Sequence, residues 1–214
     1  MEKNNFVRRQ TRGEEWANTV SHGLGMLLAL LGAVPLIVRG IDSGSSLRVF
    51  SLAFYGVSLV LLYGASAAYH WVRDPALKAK LRVLDHCSIF LLILGTYIPL
   101  SLLVVGGRTG GLLCLTNATL ATLGIVLNAV DLKRFDKVSL VLYAMMGWLV
   151  VVALRSIIAA LPPLELLLLA GGGVAYTAGI FFYKSKRPYM HFVWHLFVIL
   201  GSVLQFACIA LCCA

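Results

Sequence analysis

His70, His191 and His195 are the residues of this sequence best suited to chemistry, because three imidazoles and a water make a zinc coordination set with an open position. His70 closes one apolar run, four residues after Ser66, and His191 and His195 open the last run as H-x-x-x-H. Residues four apart share a helix face, so Ser66 lies one turn from His70, and His191 one turn from His195. Asp85 opens the run that follows His70. Ionisable side chains at the rims of membrane-spanning segments are costly and mark functional sites. Depth can be read from the charged flanks Arg73, Arg82 and Arg187. At ~1.5 Å per residue, His70, Asp85 and His191 lie about 5–6 Å inside those flanks, and His195 about 6 Å deeper. A shared depth on three separate runs predicts one metal site.

The elements that must carry these residues are helices in a bilayer. The chain of 214 residues is 60% hydrophobic and only 13% charged, against roughly a quarter charged in soluble domains. A span needs ~20 apolar residues, and seven runs qualify, at residues 18–38, 49–71, 84–105, 111–130, 138–158, 163–183 and 189–211. Backbone groups in hydrocarbon must be satisfied within each segment, so the spans are expected to be helical. The expected fold is all-α, a polytopic seven-transmembrane helix bundle. It comprises a cytoplasmic segment at residues 1–17 and a membrane domain at 18–211. The first run is long for a secretory signal and lacks a clear small-residue cleavage site, so it is read as a retained helix.

The net charge of +9 is distributed as a topology signal. Lys3, Arg8, Arg9 and Arg12 precede the first run, and Arg73, Lys78, Lys80 and Arg82 lie between the second and third. Lys133, Arg134 and Lys137 lie between the fourth and fifth, and Lys184, Lys186 and Arg187 between the sixth and seventh. Only Arg39, Arg48, Arg108 and Arg155 fall on the opposite side, so the division is fourteen to four. The positive-inside rule then puts the N-terminus in the cytoplasm and the C-terminus outside, in a multi-pass plasma (inner) membrane protein. No solvated basic face remains for a nucleic acid.

A second polar cluster, Glu15, Asn18, Ser21 and His22, opens the first run. Spacings of three and four residues make its members near neighbours on one helix face. Two readings stand: hydrogen bonds that support a metal ligand, or N-capping and helix-start polarity. Taken singly, His22 and His86 read as helix-end histidines that bond a carbonyl or face the headgroups. Cys87, Cys114, Cys208, Cys212 and Cys213 all fall in apolar runs and are odd in number, which favours buried thiols over disulfides. Pro35 and Pro99 are candidate kinks. Gly171, Ala175 and Gly179 form a small-residue stripe suited to close helix packing.

Four stretches carry a family resemblance. They are E-E-W-A-N-T-V-S-H at residues 14–22, S-A-A-Y-H at 66–70, L-D-H-C-S-I-F-L-L-I-L-G-T-Y-I-P at 84–99, and H-F-V-W-H-L-F at 191–197. In these the chain resembles the hemolysin III family, the bacterial branch of the progestin and adipoQ receptors, within the wider group of alkaline ceramidase-like membrane hydrolases. The resemblance covers essentially the whole chain. It implies a zinc ion held by His70, His191 and His195, with Asp85 contacting the water on that zinc and Ser66 beside the site. Gln205 departs from the pattern, standing where many relatives carry a histidine.

Three functions are then in competition. The first is a zinc-dependent hydrolase of lipid amide or ester bonds, tied to membrane homeostasis, with Asp85 as general base and Ser66 assisting. The second is a non-enzymatic membrane sensor or receptor in which zinc clamps helices together, with Asp85 as a fourth ligand. The third is a channel-forming hemolysin-type protein. Seven apolar spans exclude a soluble secreted toxin, and the middles of the runs carry too few charged residues to line an aqueous path. A membrane lipid, as substrate or ligand, is the expected partner.

Overall fold

The computed structural model of the protein describes residues 10–213, and these are helical nearly throughout, with no strand among them. Residues 1–9 of the expected N-terminal segment, with Lys3, Arg8 and Arg9, therefore fall outside the described residues, and residues 12–17 form the first turns of a helix. The helices are α1 (Arg12–Asp42), α2 (Ser46–Trp71), α3 (Pro75–Pro99), α4 (Gly107–Trp148), α5 (Leu154–Ala160), α6 (Pro163–Tyr183) and α7 (Met190–Cys212).

Local sequence explains where each begins. Thr11 and Glu14 form a reciprocal capping box at the start of α1, which satisfies two of the first-turn N–H groups. Ser45 caps α2, and Asp74 caps α3 with Pro75 at its first position. There a missing N–H costs nothing and φ is already set. Pro162 and Pro163 separate α5 from α6. Pro35 is accommodated within a continuous α1. At Pro99 the helix changes character and passes into a π-helical stretch, Leu100–Val105. A proline removes one ladder hydrogen bond and crowds the preceding turn, so the ladder re-forms with a wider repeat.

Six helical segments are long and apolar enough to cross a membrane: Arg12–Asp42, Ser46–Trp71, Pro75–Val105, Gly107–Ala160, Pro163–Tyr183 and Met190–Cys212. Seven were expected. The difference is the 54-residue segment Gly107–Ala160, which holds both the fourth and the fifth expected runs. It is not one straight rod. Asp131 has non-helical backbone angles (φ −159°, ψ 90°), and hydrogen bonds join residues on either side of it. Ser139 Oγ donates to Asn128 Oδ1 (2.6 Å), and Asn117 Nδ2 donates to the Met146 carbonyl (3.4 Å). Partners that move apart in opposite directions from residue 131 define two antiparallel limbs.

Helix α1 packs between α2 and α7, α2 also contacts α3, α3 contacts α4, and α6 packs on α7. The main core joins Ala29 and Leu36 of α1, Leu52, Tyr55, Leu59, Leu62 and Tyr63 of α2, Leu92 of α3, and Val198 and Ile209 of α7. The outward surface is apolar as well: Leu31 is 74% exposed, Phe181 77% and Val152 80%. Apolar side chains outside and polar ones such as Asn18, Ser66, His70, Asp85 and His195 inside invert the soluble pattern, as a bilayer requires. On α6 the buried small residues are Gly172, Ala175 and Gly179. The stripe thus starts one residue later than expected, because Gln205 of α7 lies over Gly172.

Candidate metal centre

Four helix termini meet at one end of the bundle: the starts of α1, α3 and α7 and the end of α2. His70 is the second-last residue of α2, and His191 is the second residue of α7. Short connections between antiparallel helices bring these ends together, so residues 121 positions apart become neighbours. The ligand atoms of His70, His191 and His195 all lie within 4.8 Å of one another. His70 and His195 are buried and His191 is partly so. The Nε2 atom of each of the three is buried and has no hydrogen-bond partner among the described residues. Unpaired buried polar atoms are rare in native proteins, and three in one place are a donor set in want of an ion. Three neutral imidazoles suit zinc, and the set leaves room for a further ligand. The residues therefore fit the metal that the sequence predicts.

The opposite ring nitrogens are held from α1. Glu15 Oε2 lies 2.7 Å from His70 Nδ1. A carboxylate only accepts, so Nδ1 carries the proton and Nε2 presents its lone pair to the cluster. Asn18 Nδ2 is 3.4 Å from the same Nδ1 and donates to Gln10 Oε1 at 2.5 Å. Ser21 Oγ is 3.2 Å from His195 Nδ1. His22 stacks on His195, with ring centroids 3.5 Å apart and planes 10° from parallel. All four members of the second polar cluster thus touch or neighbour the histidines. N-capping of α1 belongs instead to Thr11 and Glu14.

Asp85 is buried on α3 but lies outside the set of donor atoms within 4.8 Å of one another. Ser66 is buried near the Asp85 carboxyl, and its Oγ has no hydrogen-bond partner among the described residues. His86 Nδ1 bonds the Arg82 carbonyl at 2.9 Å; the carbonyl bond is the expected one, but His86 lies midway along α3 and not at its end, because the helix begins at Pro75. Gln205 donates to the Leu169 carbonyl at 3.1 Å and acts as a bridge between α7 and α6.

Two contributors escaped the sequence reading. Lys78, counted there only as a topology charge, sets Nζ 3.1 Å from Glu15 Oε1 and donates to the Tyr69 carbonyl at 2.9 Å. It fixes the Glu15 carboxylate and closes the end of α2. Glu14 Oε1 accepts from the Tyr189 backbone N–H at 2.8 Å. Tyr189 precedes α7 with φ 61°, in the left-handed region, so Glu14 holds the strained turn that aims His191. A sequence signal existed only for the second: an acidic pair, Glu14-Glu15, in one first turn splits its duties between two partners.

A sequence profile described as "Haemolysin-III related" matches residues 10–206. The chain belongs to the haemolysin-III-related family. This haemolysin-III-related protein is 38% identical over 197 residues to "Hemolysin-3" of Bacillus cereus, covering 92% of this chain and 90% of the relative. It is 37% identical to "Hemolysin-3 homolog" of Bacillus subtilis (strain 168), covering 94% of each. A more distant relative is "Monocyte to macrophage differentiation factor" of Homo sapiens, 26% identical over 205 residues, with 90% of this chain and 82% of the relative covered.

Proposed function

We propose that this haemolysin-III-related protein is a zinc-dependent membrane hydrolase that cleaves an amide or ester bond of a lipid at the cytoplasmic leaflet, in membrane homeostasis. The observation that carries this reading is the convergence of His70, His191 and His195, whose ligand atoms lie within 4.8 Å of one another and each of which has a buried, unpartnered Nε2. Zinc held by them would polarise a carbonyl and make water a nucleophile near neutral pH. Glu15 fixes the tautomer of His70, and Ser21 orients His195. Asp85 takes the role of general base: it is buried on α3 near Ser66, which lies one helical turn from His70, and it does not belong to the donor set. Its place outside that set also weighs against a closed, four-ligand structural zinc. Ser66, buried beside the Asp85 carboxyl, helps to hold the oxyanion or the ligand shell. A site at one end of the bundle suits a substrate that arrives sideways from the lipid.

Seven crossings, with the N-terminus inside and the C-terminus outside, are part of the proposal. At 1.5 Å per residue the 54-residue segment would run about 80 Å, far more than the ~30 Å hydrocarbon core. Its antiparallel limbs meet near Asp131, beside Lys133, Arg134 and Lys137, which supports two crossings. Reporter fusions test this: one after Ala214 should read outside, and one between Arg73 and Arg82 should read cytoplasmic. A cytoplasmic C-terminus would overturn the topology. For the chemistry, purified protein in nanodiscs should carry about one zinc per chain and turn over mixed bacterial lipids or amide-linked lipids such as ceramides. Zinc-loaded protein that cleaves none of them would return the reading to a sensor with a structural zinc.

A further inference from the structure

His22 is left over when the site is assembled. It is 1% exposed, and neither Nδ1 nor Nε2 has a hydrogen-bond partner among the described residues. Buried polar groups are costly without a partner, and folded proteins almost always supply one. The ring is also fixed in place. His195 stacks on one face at 3.5 Å, and Tyr63 meets it edge-on at 5.0 Å and 84°. Tyr63 takes that position because residue 25, one turn further along α1, is glycine. A Cβ there would stand 2.7 Å from Tyr63 Cδ1.

The stack decides what His22 can do. An imidazole nitrogen binds a metal through a lone pair in its own ring plane, at about 2.0–2.1 Å for zinc. The planes of His22 and His195 are 10° from parallel with centroids 3.5 Å apart. An ion in the plane of His195 is therefore well out of the plane of His22, and the two rings cannot both ligate it. Yet His22 lies against His195 in the same buried histidine cluster, and a neutral imidazole offers one N–H donor. We infer that His22 is a substrate-binding residue: it leaves the ion to the three histidines and donates a hydrogen bond to the carbonyl oxygen of the group that enters beside it. This inference rests on the metal-site reading above.

The test uses the full chain in nanodiscs, loaded with Co²⁺ and titrated with acetohydroxamic acid, a small carbonyl-bearing probe, by visible absorption. His22→Phe keeps a ring for the stack and removes both nitrogens. It should retain one metal per chain and bind the probe about 10-fold more weakly, the effect of one lost hydrogen bond. His22→Gln, which restores an N–H donor, should recover part of the loss. His22→Leu replaces the Phe variant if the latter is not monodisperse. Unchanged probe affinity in a folded His22→Phe or His22→Leu protein would overturn the inference and leave the metal site standing. Loss of the metal from such a protein would overturn it too, by making His22 a ligand. A parent protein that takes up no metal would sink the site and the inference together.

Discussion

Two buried polar regions of this bundle behave oppositely. Between the limbs of α4, the polar groups answer one another. Ser139 donates to Asn128 (2.6 Å), Asn128 reaches Tyr143 Oη (3.5 Å), and Tyr143 donates to the His86 carbonyl (2.7 Å). Nearby, Tyr97 Oη accepts from the Val150 N–H and donates to the Gly147 carbonyl. At the other region, where α1, α2 and α7 meet, buried nitrogens of His22, His70, His191 and His195 and the Ser66 hydroxyl have no partner among the described residues. Leftover atoms elsewhere are scattered singly, at Tyr55 Oη, Ser101 Oγ, Asn117 Oδ1 and Gln205 Oε1, and the two amides among them are bonded through their other atom. A satisfied network ties helices together in an apolar medium. A concentrated set of unpaired donors is what a binding site looks like before its ligand arrives.

The comparison breaks most sharply at the histidines. Replacing His70, His191 and His195 together by Ala should abolish zinc binding, and each single change should weaken it by roughly 10³-fold, several kcal/mol of a large metal affinity. Metal analysis of the purified variants checks this, and stoichiometric zinc in the triple variant would end the assignment. Asp85→Asn should keep zinc but lose ~10²–10⁴-fold in lipid turnover, the usual share of a general base. Parent-like turnover would remove Asp85 from the mechanism. Glu15→Gln removes the carboxylate that fixes His70 and should weaken zinc binding about 10–100-fold; competition against a chelator of known affinity measures it. The smallest effect on the site belongs to the satisfied region. Ser139→Ala strands Asn128 Oδ1 and should cost about 1–3 kcal/mol of stability. Thermal unfolding in detergent should register that cost while zinc content stays the same.

Much of this was legible in the residues themselves. Apolar runs of membrane length, punctuated by basic loops and by Pro75 and Pro162-Pro163, lead directly to the helices. The H-x-x-x-H spacing puts His191 and His195 on one face whatever surrounds them, because the helical period is a local property. His70 could be matched to them only because the charged flanks gave a common depth. The segment Gly107–Ala160 was less legible, since the break at Asp131 is a backbone feature that no proline or glycine announces. Lys78 was illegible for another reason. A cationic residue in a basic loop carries no sign of whether it serves topology, Glu15 or both.

What the sequence determined alone was the medium, the helices and the three candidate ligands. All of these follow from composition and from periodicities that act within one segment. Tertiary packing decided how those ligands are supported. Only the meeting of four helix ends could set Glu15 against His70, Ser21 against His195 and Glu14 against the turn at Tyr189. Only packing could split the first polar turn into a capping residue, Glu14, and a partner of His70, Glu15, and lay His22 flat on His195. These are contacts between residues 55 to 175 positions apart, and hydrogen bonds and ring stacks of that kind depend on angstroms between helices, which no local pattern encodes.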